Sequence, residues 1–174
     1  MLFRSEAVHA LFGYEATIVS GRLCYSLPSI DSVRDEAAQA WHFDLDGIGF
    51  IKQFIYLTPV DSSNGPHCYV PGTHLPGVKS DILLSHKYER ISDDMMSLYQ
   101  PQLHREVLGD AGTGFLGSTL CWHKGQSVMQ GMRAMIIMEY SVSNFQLDVR
   151  QTKKELLKSN VKQKLQSLLG RLNS

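Results

Sequence analysis

The chain has 174 residues, 43% hydrophobic and 20% charged, which suits one globular domain and is too apolar for a disordered segment. Lys+Arg and Asp+Glu stand at 17 each, so the formal charge is zero and nothing speaks for nucleic acid or an acidic solvating arm. No apolar run approaches the ~20 residues of a membrane-spanning helix, and residues 1–12 are too short and too interrupted by charge for a secretory leader.

Residues 1–34 read as a short helical start followed by two strand-like runs, 16–20 and 22–27, which flank Gly21 as a hairpin. Residues 49–59 are β-branched and aromatic, apolar on both faces, and predict a buried strand. Asp61-Ser62-Ser63-Asn64-Gly65 is a turn signal. A short strand over 67–70 is closed by Pro71-Gly72. Residues 76–102 are polar and mixed, an insertion with one or two short helices. Short strands over 104–108, 114–116 and 119–124 are separated by glycines, and 134–142 is a long apolar strand. Many short strands with Gly/Pro punctuation predict a mainly β sandwich or barrel.

In residues 151–174, Leu157, Val161, Leu165, Leu168 and Leu172 recur at helical spacing between Lys and Gln, an amphipathic helix. The expected division is therefore a β domain over 1–150 and a C-terminal helix over 151–174. That helix packs on its own domain or, as the alternative, forms a homodimer contact. Cys24, Cys68 and Cys121 are odd in number and form no C-x-x-C pair, which predicts buried free thiols and a reducing, cytoplasmic setting.

The most informative string is Trp41-His42-Phe43-Asp44. Residues two apart on a strand share a face, so the His42 imidazole and the Asp44 carboxylate can converge on one cation. H-x-D alone is common and needs no metal. A distant histidine in strand context, His123, would complete two histidines and one carboxylate. That set leaves coordination positions open, as non-haem Fe(II) oxygenases require. His67 and His74, in turn-forming strings, are the alternatives for the third ligand. Arg133 opens the last apolar strand and would be a buried cation in need of an anion. The distal carboxylate of 2-oxoglutarate can meet it in bidentate geometry.

Three groups of residues carry a resemblance. They are Trp41 to Asp44; Lys52-Gln53-Phe54-Ile55-Tyr56-Leu57 with Asn64-Gly65-Pro66-His67-Cys68-Tyr69-Val70-Pro71-Gly72-Thr73-His74; and Gly109-Asp110-Ala111-Gly112-Thr113-Gly114 followed by His123-Lys124-Gly125 and Arg133. In this order and spacing, over residues 39–140, they resemble the phytanoyl-CoA dioxygenase family. The resemblance implies a double-stranded β-helix, a cupin-like jelly roll. It implies His42, Asp44 and His123 as iron ligands and catalytic centre, Arg133 as the 2-oxoglutarate anchor, and Fe(II) and 2-oxoglutarate as cofactors.

The family often carries a small hydroxyl residue two places after the distal histidine. Here that place is Gly125, with Thr119 or Ser127 as the substitutes expected to bind the co-substrate. The expected reaction uses O2 to hydroxylate a C–H bond of a small-molecule substrate, with release of succinate and CO2. Asp44 leaves no ligand position vacant for a halide, so hydroxylation is expected rather than halogenation. The segment before H-x-D is 41 residues, shorter than in familiar members. This motivates the alternative: a shortened jelly roll that binds metal or a partner without oxygenase turnover. Trp41 and Trp122, each preceding an expected ligand, are expected to wall the pocket. Met129, Met132, Met135 and Met138 are expected to fill the core. His86 and His104 are expected in solvent.

Overall fold

The structure, a computed structural model, describes residues 6–13, 16–28, 38–44, 49–75, 90–99 and 104–142. The described elements are helix α1 (Glu6–Phe12), strands β1 (Thr17–Ser26), β2 (Phe50–Tyr56) and β3 (His67–Tyr69), helix α2 (Asp93–Tyr99), and strands β4 (Arg105–Val107), β5 (Gly114–Gly117), β6 (His123–Gly125) and β7 (Arg133–Ser141). The C-terminal helix expected over 151–174, the domain boundary before it and most of the insertion lie outside the described residues. Among those described, no helix is long and apolar enough to cross a membrane.

The strands form two antiparallel sheets, ordered β1-β7-β2-β5 and β4-β3-β6. They pack face to face as a jelly roll. Phe54 and Tyr56 of the larger sheet meet His67 of the smaller one, and the Tyr56 hydroxyl donates to Val107 O at 2.8 Å and accepts from His67 N–H at 3.1 Å. The apolar side chains of Phe54, Tyr56, Val60 and Met135 fill the space between the sheets. Each contributes about 1.5–3 kcal/mol of burial. On the outer face of the larger sheet, Val8 of α1 packs with Ile51 and Tyr140. β2 is thus covered on both sides, as its two-faced apolar pattern predicts.

The hairpin expected around Gly21 is absent. β1 runs straight through it, and residues on both sides of Gly21 pair in register with β7, from Thr17 opposite Ser141 to Ser26 opposite Arg133. Gly21 sits opposite Met138 and has no left-handed backbone to turn with. A glycine flanked by two β runs signals a turn only when the chain reverses there. Here the long partner strand keeps it extended, with a register shift at Ile18/Ser20.

The turn predicted over 61–65 is present: Asp61 Oδ1 accepts from Ser63 N–H and Asn64 Oδ1 from Asp61 N–H, both at 2.7 Å. Gly65 needs its freedom. At φ +83° a Cβ would stand 2.7 Å from the Gln126 carbonyl oxygen.

Two further expectations need correction. Of the four methionines, Met135 is core, but Met129 and Met132 are 71% and 44% exposed, because both precede β7 in the loop where no sheet covers them. Trp41 and Trp122 do not line the cavity described below; they pack with Cys68, Val70, Ile91 and Met96 on the opposite face of the smaller sheet. Strand alternation is the reason: a residue next to an inward-facing ligand must face outward. Cys24 is half-buried, Cys68 and Cys121 are buried, and all three are free thiols.

Candidate metal centre

Short backbone bridges build the centre. Residues 41 and 42 add a bridge-length strand to the edge of β6. His42 N–H donates to His123 O at 3.0 Å, and His123 N–H returns the bond to His42 O at 2.8 Å. Residues that exchange both bonds stand directly opposite and project from the same face. Their rings therefore meet, with centroids 4.3 Å apart. One step on, Asp44 N–H donates to Thr119 O at 2.8 Å, which holds the carboxylate beside the two imidazoles.

His42 Nε2 lies 3.9 Å from Asp44 Oδ1, and His123 Nε2 lies 3.7 Å from Asp44 Oδ2. One ligand atom from each of the three lies within 4.8 Å of the others. Both histidines repeat one device: Nδ1 meets the backbone carbonyl two residues earlier, Ala40 O at 2.9 Å and Cys121 O at 3.0 Å. With Nδ1–H donating there, each Nε2 keeps its lone pair for the centre.

The electrostatics suit a cation. Burial pushes the His123 pKa down to about 4, helped by neighbouring His42, and burial also lowers that of His42. Both rings are neutral at pH 7 and able to ligate. Burial raises the pKa of Asp44, but the positive charges of His123 and Lys52 outweigh it, and the carboxyl titrates below its ordinary value. With His123 neutral near pH 7, Lys52 is the cation that acts: its Nζ lies 2.5 Å from Asp44 Oδ2. Lys52 is 4% exposed and stands in register with Glu139 of β7. Lys52 is thus a buried partner of the carboxylate.

The centre opens into a cavity of about 540 Å³, within the ordinary range for small-molecule sites. Arg133 stands in the same cavity, 6% exposed. Its Nη1 donates to Gly65 O and its Nη2 to Ser26 Oγ at 3.1 Å, while buried Nε has no hydrogen-bond partner. Burial lowers its pKa, and the groups that oppose this are Tyr56, Cys24 and Cys68, none of them a carboxylate. No carboxylate among the described residues pairs with this guanidinium.

Gly125 shares the face of His123 and sits under Arg133. A Cβ there would lie 3.2 Å from Nη2 and 3.3 Å from Nη1. The place where a hydroxyl residue was expected is small because the guanidinium lies across it.

Of the two substitutes, the structure brings Thr119 to the cavity and not Ser127. The Thr119 hydroxyl is buried beside Asp44 without a hydrogen bond of full geometry. Ser127 lies outside the cavity lining, two residues beyond the end of β6, and its hydroxyl donates to Gln39 Oε1 at 3.3 Å.

The alternative third ligands also separate. His67 faces the cavity with its ring 5.5 Å from that of His123, but does not join the converging ligand atoms. Burial holds it well below its ordinary pKa, a neutral wall between Phe54 and His123. His74 is exposed, with Nδ1 3.2 Å from Cys121 Sγ. His104 is exposed, as expected, and His86 lies outside the described residues.

Sequence reading missed the Lys52–Asp44 pair and the guanidinium over Gly125. Alternation along β2 carried a signal for the first, since Lys52, Phe54 and Tyr56 share the buried face. The second depends on a contact between distant segments and had no sequence signal.

No family model matches the chain, and no curated protein matches it. Solved structures do. AviO1 from Streptomyces viridochromogenes Tue57 is 19% identical with a TM-score of 0.55, over 80% of this chain and 58% of that one. SnoK, a non-heme alpha ketoglutarate dependent carbocyclase from nogalamycin biosynthesis, is 19% identical with a TM-score of 0.58, over 79% of this chain and 54% of that one. HygX from Streptomyces hygroscopicus, with nickel and 2-oxoglutarate bound, is 15% identical with a TM-score of 0.58, over 79% of this chain and 60% of that one. The chain thus spans little more than half the length of these proteins. The likeness establishes the jelly-roll fold.

Proposed function

We propose that the chain is a non-haem Fe(II), 2-oxoglutarate-dependent oxygenase of phytanoyl-CoA dioxygenase type that hydroxylates a C–H bond of a small molecule. One observation carries the reading: two Nε2 lone pairs and a carboxylate converge at one end of a cavity that also holds a buried arginine with no carboxylate partner among the described residues. Solved structures of the same fold include one with nickel and 2-oxoglutarate and one with bound iron.

The donor set fits the metal. Two neutral imidazoles and one carboxylate suit a borderline divalent ion and leave one side of it open. His42, Asp44 and His123 would hold the ion. The iron would supply O2 activation at its open positions, coupled to decarboxylation of 2-oxoglutarate to succinate.

This chain's residues do the rest. Ala40 O and Cys121 O fix the orientation of the two rings. Lys52 holds one Asp44 oxygen, which favours single-oxygen coordination by the other. Arg133 receives the far carboxylate of 2-oxoglutarate in a water-poor site, where an ion pair is worth more than at the surface. The Thr119 hydroxyl, buried beside Asp44, is placed to donate to that carboxylate or to the same co-substrate. Phe54, His67 and Met135 keep the wall dry.

Anaerobic addition of Fe(II) and then 2-oxoglutarate tests the reading. A weak visible charge-transfer band is expected, along with conversion of 2-oxoglutarate to succinate in air that disappears in Asp44→Ala. Iron-loaded protein that neither binds nor decarboxylates 2-oxoglutarate would refute it. A second reading, metal binding without turnover, is favoured by the Lys52 ammonium, which already neutralises the carboxylate the metal needs. Zinc in the purified protein with no charge-transfer band would select that reading. A cytoplasmic setting, drawn from the free cysteines, completes the proposal; fractionation tests it.

A further inference from the structure

The cavity is lopsided in charge. Among the described residues that line it, Arg22, Lys52, Arg90 and Arg133 are basic and Asp44 alone is acidic. Lys52 is engaged by Asp44, and Arg90 has interactions of its own. Arg133 is the cation suited to the co-substrate. Arg22 is left over: an exposed residue of the cavity lining with no carboxylate partner among the described residues.

Its direction is fixed by its neighbours. Along β1, residues 22, 24 and 26 share one face. Ser26 turns inward to Arg133, and Cys24 packs against the cluster between the sheets. Arg22 continues that inward row opposite Ile137, itself part of the same cluster and of the cavity wall. β1 is the edge strand of its sheet, so this end of the row opens to solvent.

Ser26 is the register partner of Arg133. Four residues of strand therefore separate the Arg22 row from the Arg133 row, roughly 13 Å at ~3.3 Å per residue. The two arginines suit two different anions. With a divalent metal and dianionic 2-oxoglutarate in place, the formal charges of the metal, Lys52 and Arg133 balance those of Asp44, buried Glu139 and the dianion, so Arg22 adds positive charge at the mouth.

We propose that Arg22 anchors an anionic group of the primary substrate, a carboxylate or a phosphate, at the mouth of the cavity along the inner face of β1. The reactive end of that substrate rests on the oxygenase reading above; the anion site does not. The guanidinium fork matches either oxyanion in bidentate geometry.

The test uses protein loaded with Ni(II) and saturating 2-oxoglutarate, titrated calorimetrically with benzoate, phenyl phosphate and benzyl alcohol. At least one anion is expected to bind ten or more times more tightly than the neutral alcohol. The stronger of the two names the carboxylate or the phosphate. Arg22→Gln should lose that preference while still binding 2-oxoglutarate, and Arg22→Lys should recover part of it. Equal binding of all three probes, or an unchanged preference in Arg22→Gln, would overturn the proposal. If Ni(II) and 2-oxoglutarate do not bind at all, the oxygenase reading fails. The same titrations on metal-free wild type and Arg22→Gln then decide the anion site independently, a tenfold loss supporting it and equal affinities refuting it.

Discussion

Two glycine-to-alanine substitutions in this sheet framework should have opposite signs. An alanine in place of a strand glycine ordinarily gains about 0.5–1 kcal/mol, because the unfolded chain loses freedom. At Gly21 nothing lies within 4 Å of the added Cβ, and the backbone is not left-handed, so Gly21→Ala should keep this gain. At Gly125 the same Cβ meets Arg133 Nη2 at 3.2 Å and Nη1 at 3.3 Å. The guanidinium cannot simply retreat, since Gly65 O and Ser26 Oγ hold its two ends. Overpacking a held group costs about 1–3 kcal/mol. The net for Gly125→Ala is a loss centred on about 1 kcal/mol, within a range of roughly 0–2.5 kcal/mol, or roughly 2–4 °C in Tm per kcal/mol for a domain of this size. A displaced guanidinium should also weaken 2-oxoglutarate binding by about tenfold, equivalent to ~1.4 kcal/mol. Urea melts of both variants and calorimetric titration with Ni(II) and 2-oxoglutarate read the two effects. A Gly125→Ala protein stabilised like Gly21→Ala, with unchanged affinity, would refute the packing of Arg133 on Gly125.

Three further outcomes follow from the site. His42, His67 and His123 have folded pKa values below the unfolded one, with His123 at about 4. The unfolded chain therefore takes up protons first as pH falls from ~6.5, and the metal-free protein should lose stability through that window, roughly 3 kcal/mol by pH 4 from His123 alone; a flat urea midpoint from pH 7 to 5 would contradict the burial of these rings. Lys52→Met strands a carboxylate that is 21% exposed, so the loss at pH 7 should be about 2–3 kcal/mol, less than for a fully buried pair. The depressed Asp44 pKa means that its contribution is present above ~3.9 and lost as pH falls through the lower folded value; the gap between wild type and variant should therefore narrow below pH 3.5 in paired denaturation curves. Asp93 of α2 accepts from Trp41 Nε1 at 2.7 Å and from Lys124 Nζ at 2.6 and 2.8 Å, gripping the neighbours of both candidate histidine ligands. Asp93→Ala leaves the buried indole N–H without that partner and should cost about 1–2 kcal/mol, with a red shift in tryptophan emission as the check.

The ligand set shows what a sequence can carry. His42 and Asp44 are two apart, and alternation alone puts them on one face. His123 was legible as the third candidate ahead of His67 and His74, which lie in turn-forming strings. How it comes to stand beside His42 was not: two backbone hydrogen bonds between residues 42 and 123 pair segments far apart in the chain. Arg133 could be read as a buried cation from its place at the head of an apolar strand, yet the absence of a described carboxylate partner is a property of the assembled cavity.

The mainly β character, the two-faced burial of β2, the turn at 61–65 and the H-x-D pair were set locally, by side-chain period and turn chemistry, and so could be read from residues near one another. The course of β1 through Gly21, the turning of Trp41 and Trp122 away from the cavity, the Lys52–Asp44 pair and the guanidinium across Gly125 were decided by tertiary structure. Each depends on which strand lies alongside or opposite, and long-range pairing fixes that choice through contacts no local pattern contains.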